Sequence, residues 1–404
     1  MPASHDAEKM SPEKAYEQLE QARQLMDADR YNEALDLAEI CLRVFYNAVE
    51  PEGIFDALVL IQSIFQSAGD LPGARPYLEE AVAFSRRTFG EEHPETAQME
   101  NLLGVVLDKC GDYAGAKACY EKALAVNLAA LGEEHPETAI NLNNLGYILQ
   151  AMGNPHDARD YYERALAVRK KVLGERHSDT ASSLNNMGHL LQGLGDLEEA
   201  KPYFEEALSI NQELFGEEHP DTARSYNNLA ELLKKLGDLE TAKSYFEKAI
   251  KINRKTLGEI HPYTAICINN MGMFLQDTGD LKGAKAYYEQ ALEINRQMLG
   301  EGHPDTAVSL GNVGYVLIDM GDLQGAKRIY TEVLEMNRKS LGEEHPKTAA
   351  TLSNLSYILN EEGNMSGARE HQQRALDILT KTLGPAHPDT LQAGRILEYL
   401  KREE

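Results

Sequence analysis

The sequence predicts an all-α chain, a solenoid of stacked antiparallel helical hairpins. Three observations carry that prediction. A Gly-x-x-His phrase ends at His93, His135, His177, His219, His261, His303, His345 and His387, always 42 residues apart with no insertion or deletion. Within a period, apolar residues recur at three- and four-residue steps, which marks one face of a helix. A glycine followed by a capping residue splits each period into two such stretches. A hairpin built this way has apolar residues on more than one face, so neighbours must stack to bury them.

The period from Pro136 to Gly174 justifies the elements in order. Ile140, Leu142, Leu145, Ile148 and Leu149 define the first helix, and Gly153 stops it. Asn154, with counterparts Asp112, Asp196, Asp238, Asp280 and Asp322, is an N-cap for the second helix, and Pro155 suits its first position. Ala158, Tyr161, Tyr162, Ala165, Leu166 and Val168 form the apolar face of that helix, which ends at Leu173-Gly174. Each helix is expected to run about 16 to 17 residues. Pro76 and Pro202 sit a few residues inside second helices, where a slight kink or a late start is expected.

Extending the period in both directions divides the chain. Residues 51–382 hold eight hairpins, the first a looser copy marked by Gly69-Asp70, Ala74, Tyr77 and Ala81. Residues 11–48 form a divergent hairpin with Ala28-Asp29-Arg30-Tyr31 at its turn, preceded by a short polar N-terminus, residues 1–10, expected to be disordered. Residues 388–402 make a single capping helix ending in Lys401-Arg402-Glu403-Glu404, whose charges suit a solvated end.

Composition narrows the function classes. The 404 residues carry 40 Lys and Arg against 65 Asp and Glu, a net charge of -25 that repels phosphate backbones and anionic lipid headgroups. Nucleic acid and membrane insertion are therefore not expected. No apolar run approaches the ~18 residues of a membrane span, and residues 1–9 lack the apolar core of a signal peptide. The expected location is the cytoplasm. Cys41, Cys110, Cys119 and Cys267 show neither a CxxC pair nor histidines at zinc-ligand spacing, and read as buried free thiols. No cofactor or metal is expected.

The pattern Leu142-x-Asn144-Leu145-Gly146-x-x-Leu149, followed by Gly153-Asn154, Ala158, Tyr162 and Ala165, resembles the tetratricopeptide repeat (TPR). The 42-residue period with Leu-Gly-x-x-His-Pro-x-Thr-Ala resembles more narrowly the repeats of kinesin light chains, strongly over residues 51–402 and weakly over 11–46. The resemblance implies a right-handed TPR superhelix whose first helices line a concave groove that takes a peptide. It also implies that an Asn ladder, Asn144, Asn186, Asn228, Asn270, Asn312 and Asn354, bonds the peptide backbone, with Leu102 breaking the series at its start. A second reading has these amides bonding neighbouring repeats and satisfying buried backbone groups. A second series, Asn101, Asn143, Asn185, Asn227 and Asn269, lies one residue before and points about 100° away, so at most one series can face the groove squarely. The variable positions three and six residues beyond each Asn, among them Tyr147, His189, Tyr315, Gln192 and Lys234, are candidates for specificity. Carboxylate-gripping repeats place a basic residue four positions before the Asn, and only Arg224 fits, so a strongly acidic partner is not expected. No heptad coiled coil precedes residue 11, so a motor subunit is not expected either.

Catalysis needs unlike residues converging at one place, whereas a linear repeat offers the same residues at intervals. The chain has no phosphate-binding loop, no His-Glu-x-x-His and no Gly-x-Ser-x-Gly. The His ladder reads as helix entrances, with Pro at the first position and an acid or Thr in the first turn. The expected function is a non-enzymatic, monomeric adaptor for a protein or peptide partner. The alternatives are a self-assembling structural protein, hinted at by Phe45, Tyr46, Ile54 and Phe55, and a regulatory subunit of an enzyme complex.

Overall fold

A computed structural model of the chain describes residues 10–28, 30–68 and 70–402. Most of the expected disordered N-terminus, Asp29 of the first turn, Gly69, and Glu403-Glu404 of the cap lie outside the described residues. The described residues form 19 α-helices and no strand. They divide into two compact units, Met1–Ala130 and Leu131–Glu404.

The first unit holds α1 (Pro12–Asp27), α2 (Tyr31–Ala48), α3 (Pro51–Ala68), α4 (Leu71–Thr88), α5 (Pro94–Lys109) and α6 (Tyr113–Leu131), of which only Leu131 falls beyond the division. Phe45 and Ile54 are fully buried here, and Tyr46 and Phe55 are half-buried. Phe45 lies against Gly53 and the ring of Tyr16, and Tyr46 meets Phe84 edge-on, so part of the apolar surface expected at this hairpin is covered within the unit.

The second unit pairs α7 (Pro136–Ala151) with α8 (Pro155–Val172), α9 (Ser178–Leu194) with α10 (Leu197–Phe215), and α11 (Pro220–Leu236) with α12 (Leu239–Thr256). It continues with α13 (Pro262–Asp277) and α14 (Leu281–Leu299), α15 (Pro304–Asp319) and α16 (Leu323–Ser340), α17 (Pro346–Glu361) and α18 (Met365–Thr382), and ends with α19 (Pro388–Arg402). Second helices run 18 or 19 residues, slightly longer than the spacing predicts, because the helix continues to the residue before the terminal Leu-Gly or into it. Pro76 and Pro202 delay neither start: α4 and α10 begin at Leu71 and Leu197, in register with their counterparts. At the sixth position each proline frees only a carbonyl of the first turn, which water can reach.

The recurrent phrase is a junction between hairpins. Gly216 takes a left-handed φ of 84°, which turns the chain out of α10 at no steric cost. Thr222 then donates its hydroxyl to the Gly216 carbonyl at 2.7 Å, and His219 Nδ1 accepts the Asp221 N–H at 3.2 Å. The same two bonds recur at Thr138 and His135, Thr180 and His177, Thr264 and His261, Thr306 and His303, and Thr348 and His345. Each histidine is the N-cap of its helix, held one period from the next by the fold. Thr222→Val leaves the Gly216 carbonyl without this donor and should lower the urea midpoint by an amount equivalent to about 1 kcal/mol; an unchanged midpoint would mean water replaces the hydroxyl.

Second-helix caps are less uniform. Asp238, Asp280, Asp322 and Asn364 accept the backbone N–H three residues on, whereas Asn154 and Asp196 cap without a side-chain bond. Inside each hairpin an aromatic ring lies flat on the first helix where that helix carries glycine. A Cβ at Gly188 would stand 2.7 Å from Phe204, and one at Gly146 or Gly272 would stand 2.8 Å from Tyr162 or Tyr288.

Consecutive hairpins are also stapled by a buried amide. Asn211 donates Nδ2 to Ser225 Oγ at 2.8 Å, Asn295 to Ser309 Oγ at 2.8 Å and Asn337 to Thr351 Oγ1 at 3.1 Å. Asn253 donates to Cys267 Sγ at 3.3 Å, and in α8 Arg169 takes this place, reaching Ser183 Oγ at 2.8 Å. Burial pushes the thiols of Cys41 and Cys110 up to about 11 and those of Cys119 and Cys267 up to about 12, so all four stay protonated and poorly nucleophilic.

One contact joins distant parts of the second unit. The N-cap histidine of α19, His387, turns its Nε2 to the Ala151 carbonyl at the end of α7, 3.0 Å away. Its Nδ1 accepts the Asp389 N–H, which leaves the proton on Nε2 to donate. Gly153 is close-packed by this contact: a Cβ there would stand 2.9 Å from Pro388, whereas the equivalent Gly195, Gly237, Gly279, Gly321 and Gly363 face open space.

Candidate functional site

In the second unit consecutive first helices pack on one another, α9 on α11 and α11 on α13, and no consecutive second helices pack as closely. The stack therefore curves with its first helices inside. Helical periodicity places residues four, seven and eleven positions after the initial proline along that inner side.

The two Asn series meet there, each bonding the other across a repeat junction. Asn186 donates Nδ2 to Asn143 Oδ1 at 2.6 Å, Asn228 to Asn185 at 3.2 Å, Asn270 to Asn227 at 3.1 Å, and Asn312 to Asn269 at 2.6 Å. One donor of each is thus committed to the preceding repeat, and the remaining amide atoms are what a ligand could meet. Asn228 is buried, Asn144, Asn186, Asn270, Asn312 and Asn354 are half-buried, and Asn228 and Asn354 line cavities.

The variable positions separate into exposed and enclosed. Tyr147, Met273, Tyr315 and Tyr357 are exposed. His189 is half-buried, its ring edge-on to Phe204 at 5.0 Å, and burial, with Lys235 nearby, pushes its pKa down to about 4. Gln192 is buried and its Oε1 has no hydrogen-bond partner. Lys234 spans the junction to Asp277 at 2.6 Å. Glu231 accepts from Asn270 at 2.6 Å, and burial raises its pKa although Asn227 and the two lysines oppose the shift.

Between the inner faces of α11 and α13 lies a cavity of about 190 Å³, walled by Arg224, Asn228, Tyr263, Ile266 and Cys267. Arg224 is exposed at its rim and pairs with Asp221 at 2.9 Å. A second cavity of about 190 Å³ lies one repeat on, between α13 and α15, with Ile266 as the shared wall and Asn269, Val308 and Ser309 beyond it. Both are smaller than the roughly 300–1,000 Å³ of small-molecule sites and suit one side chain each. Ile266 and Val308, about half exposed, hold the position where carboxylate-gripping repeats carry a base, so these cavities favour apolar side chains. Sequence reasoning named Arg224 and Asn228 but missed Ile266, Val308 and Tyr263. The signal was their apolar character at positions expected to be polar. Among the described residues no three His, Cys, Asp or Glu side chains are grouped to hold a metal ion, and no helix is long and apolar enough to cross a membrane.

Comparison with known proteins places this geometry. The family described as Tetratricopeptide repeat matches residues 53–126, 97–171, 179–255, 263–339 and 309–381. Among solved structures, a Rap protein complexed with Competence and Sporulation Factor is 14% identical with a TM-score of 0.56, over 92% of this chain and 99% of that one. Putative kinesin light chain nearly identical TPR-like repeats from Podosopora anserina are 24% identical with a TM-score of 0.43, over 51% of this chain and 98% of that one. BtubC (BKLC) from P. vanneervenii is 23% identical with a TM-score of 0.45, over 59% of this chain and 93% of that one. No curated protein matches the chain.

Proposed function

Because the chain belongs to the tetratricopeptide repeat family, whose repeats generally mediate protein–protein interaction, we propose that it is a non-enzymatic adaptor that holds a peptide segment of a partner on the inner face of its second unit. The observation that carries the reading is the pair of adjoining cavities on either side of Ile266, one per repeat junction, each sized for a side chain. A bound segment would lay successive side chains into these cavities and its backbone along the remaining Asn amide groups. The net charge of -25 disfavours a strongly acidic segment. The proposed organisation is eight hairpins over 51–382, a divergent hairpin over 11–48 and a cap over 388–402, acting as a monomer in the cytoplasm.

A random-peptide display selection on the full chain, followed by fluorescence anisotropy of the enriched peptides, tests this. Ile266→Asp with Val308→Asp should weaken them at least tenfold, about 1.4 kcal/mol, with helicity unchanged. Unchanged affinity would move the site off this face.

A further inference from the structure

Resting on that reading, the contact between His387 and Ala151 bears on how a partner segment reaches the inner face. The second unit curves with its first helices inside, and after six hairpins α19 returns to touch the end of α7. A curved stack that meets itself has completed a turn. The inner side, with the cavities flanking Ile266, therefore lies within a closed circuit of hairpins.

That circuit has one weak joint. Along it, neighbouring hairpins share a continuous apolar core and buried amide bonds, such as Asn211 to Ser225 and Asn295 to Ser309. Where it closes, the Nε2–H of His387 meets the Ala151 carbonyl at 3.0 Å, and His387 and Pro388 pack on Gly153. The contact is small but specific: the His387 side chain is 9% exposed, against 41% for His177 and 39% for His219, which cap their helices in the same way. One net hydrogen bond favours the closed joint by a factor of only about five. Separating two packed hairpins uncovers whole apolar side chains, each worth a factor of about ten or more. The circuit thus opens at this joint before any other. We infer that the contact between α7 and α19 is a gate, and that a segment flanked by folded structure on both sides enters and leaves the inner face by opening it. Neither His387 nor Gly153 lines the two cavities, so the gate slows entry and exit equally and leaves affinity unchanged.

Two measurements on the full chain test this. In the first, spin labels on Asp157→Cys in α8 and Leu391→Cys in α19, both exposed positions, report opening of the joint by double electron–electron resonance. His387→Asn keeps a good N-cap but loses the reach to Ala151, and should spread the distances toward longer values. Gly153→Ala should do the same, because its Cβ would stand 2.9 Å from Pro388. Gly195→Ala carries the same left-handed strain with open space around it and should leave the distances unchanged. In the second, stopped-flow anisotropy follows a display-selected peptide fused at both ends to ubiquitin. His387→Asn and Gly153→Ala should raise its association and dissociation rates alike, about three- to fivefold, with Kd unchanged. Distances indifferent to His387→Asn would overturn the joint, and rates indifferent to it would overturn gating. Either result leaves the inner-face reading standing where binding still depends on Ile266 and Val308. Loss of that dependence discards the gate together with the reading.

Discussion

Replacing Phe204 by alanine should lower the stability of the second unit by about 3–5 kcal/mol, read as a fall in the urea midpoint. The ring is fully buried, lies flat on α9 over Gly188, and supports the His189 ring at 5.0 Å. Its removal empties the middle of a hairpin and uncouples the two helices that share it. A second substitution makes the expectation specific. Gly188→Ala alone brings a Cβ within 2.7 Å of the ring and should cost about 1–3 kcal/mol. In the Phe204→Ala background the collision is gone, and the same change should stabilise by up to about 1 kcal/mol through helix propensity. The two effects are thus strongly non-additive. Additive effects would show that Gly188 is not there to admit the ring.

Acidification supplies the second large effect, again centred on α9. Burial, with Lys235 as a lesser cause, holds the His189 pKa at about 4, below the value of about 6.5 expected in the unfolded chain. Above pH 6.5 the imidazole is neutral in both states and contributes nothing to the balance. Between pH 6.5 and 4 the unfolded chain binds a proton that the folded chain refuses, so stability falls with pH. Below pH 4 both states are protonated and the loss is complete, at most about 3 kcal/mol and less to the extent that solvent reaches the ring. Glu231, raised by burial, contributes with the opposite sign, and its contribution is common to wild type and a His189 variant. His189→Gln should therefore flatten the decline in urea stability from pH 7 to 4.5. Parallel profiles for the two proteins would sink the assignment.

What was legible in the sequence follows from periodicity. A strict 42-residue repeat announces the helices from Pro94 onward, their turn glycines and the histidine caps, because each is a local consequence of chain geometry that must recur when the hairpin recurs. Arg224 and Asn228 were named from register alone, and both line the cavity between α11 and α13. Partners across a junction are less visible. That Asn211 reaches Ser225 depends on how two hairpins seat on each other, and the sequence offered bonding between neighbouring repeats as one reading of the Asn ladder without naming Asn143 as the partner of Asn186. The enclosure of Gln192 was hidden too, because a polar residue at a variable position reads as surface until its neighbours are placed. The pair least visible in advance is His387 with Ala151, where a residue that elsewhere only caps a helix gains a second partner 236 positions away.

That pair changes how the second unit should come apart. In an open array each hairpin touches only its neighbours, so terminal hairpins fray first and unfolding spreads inward in small, nearly independent steps. A tether between the start of α19 and the end of α7 encloses most of the array in a single loop. Opening at either boundary must break this contact as well, which adds about 1 kcal/mol to the cost of fraying there. The hairpins between them are consequently coupled more strongly than in an open array, since the two ends of the loop no longer fray independently.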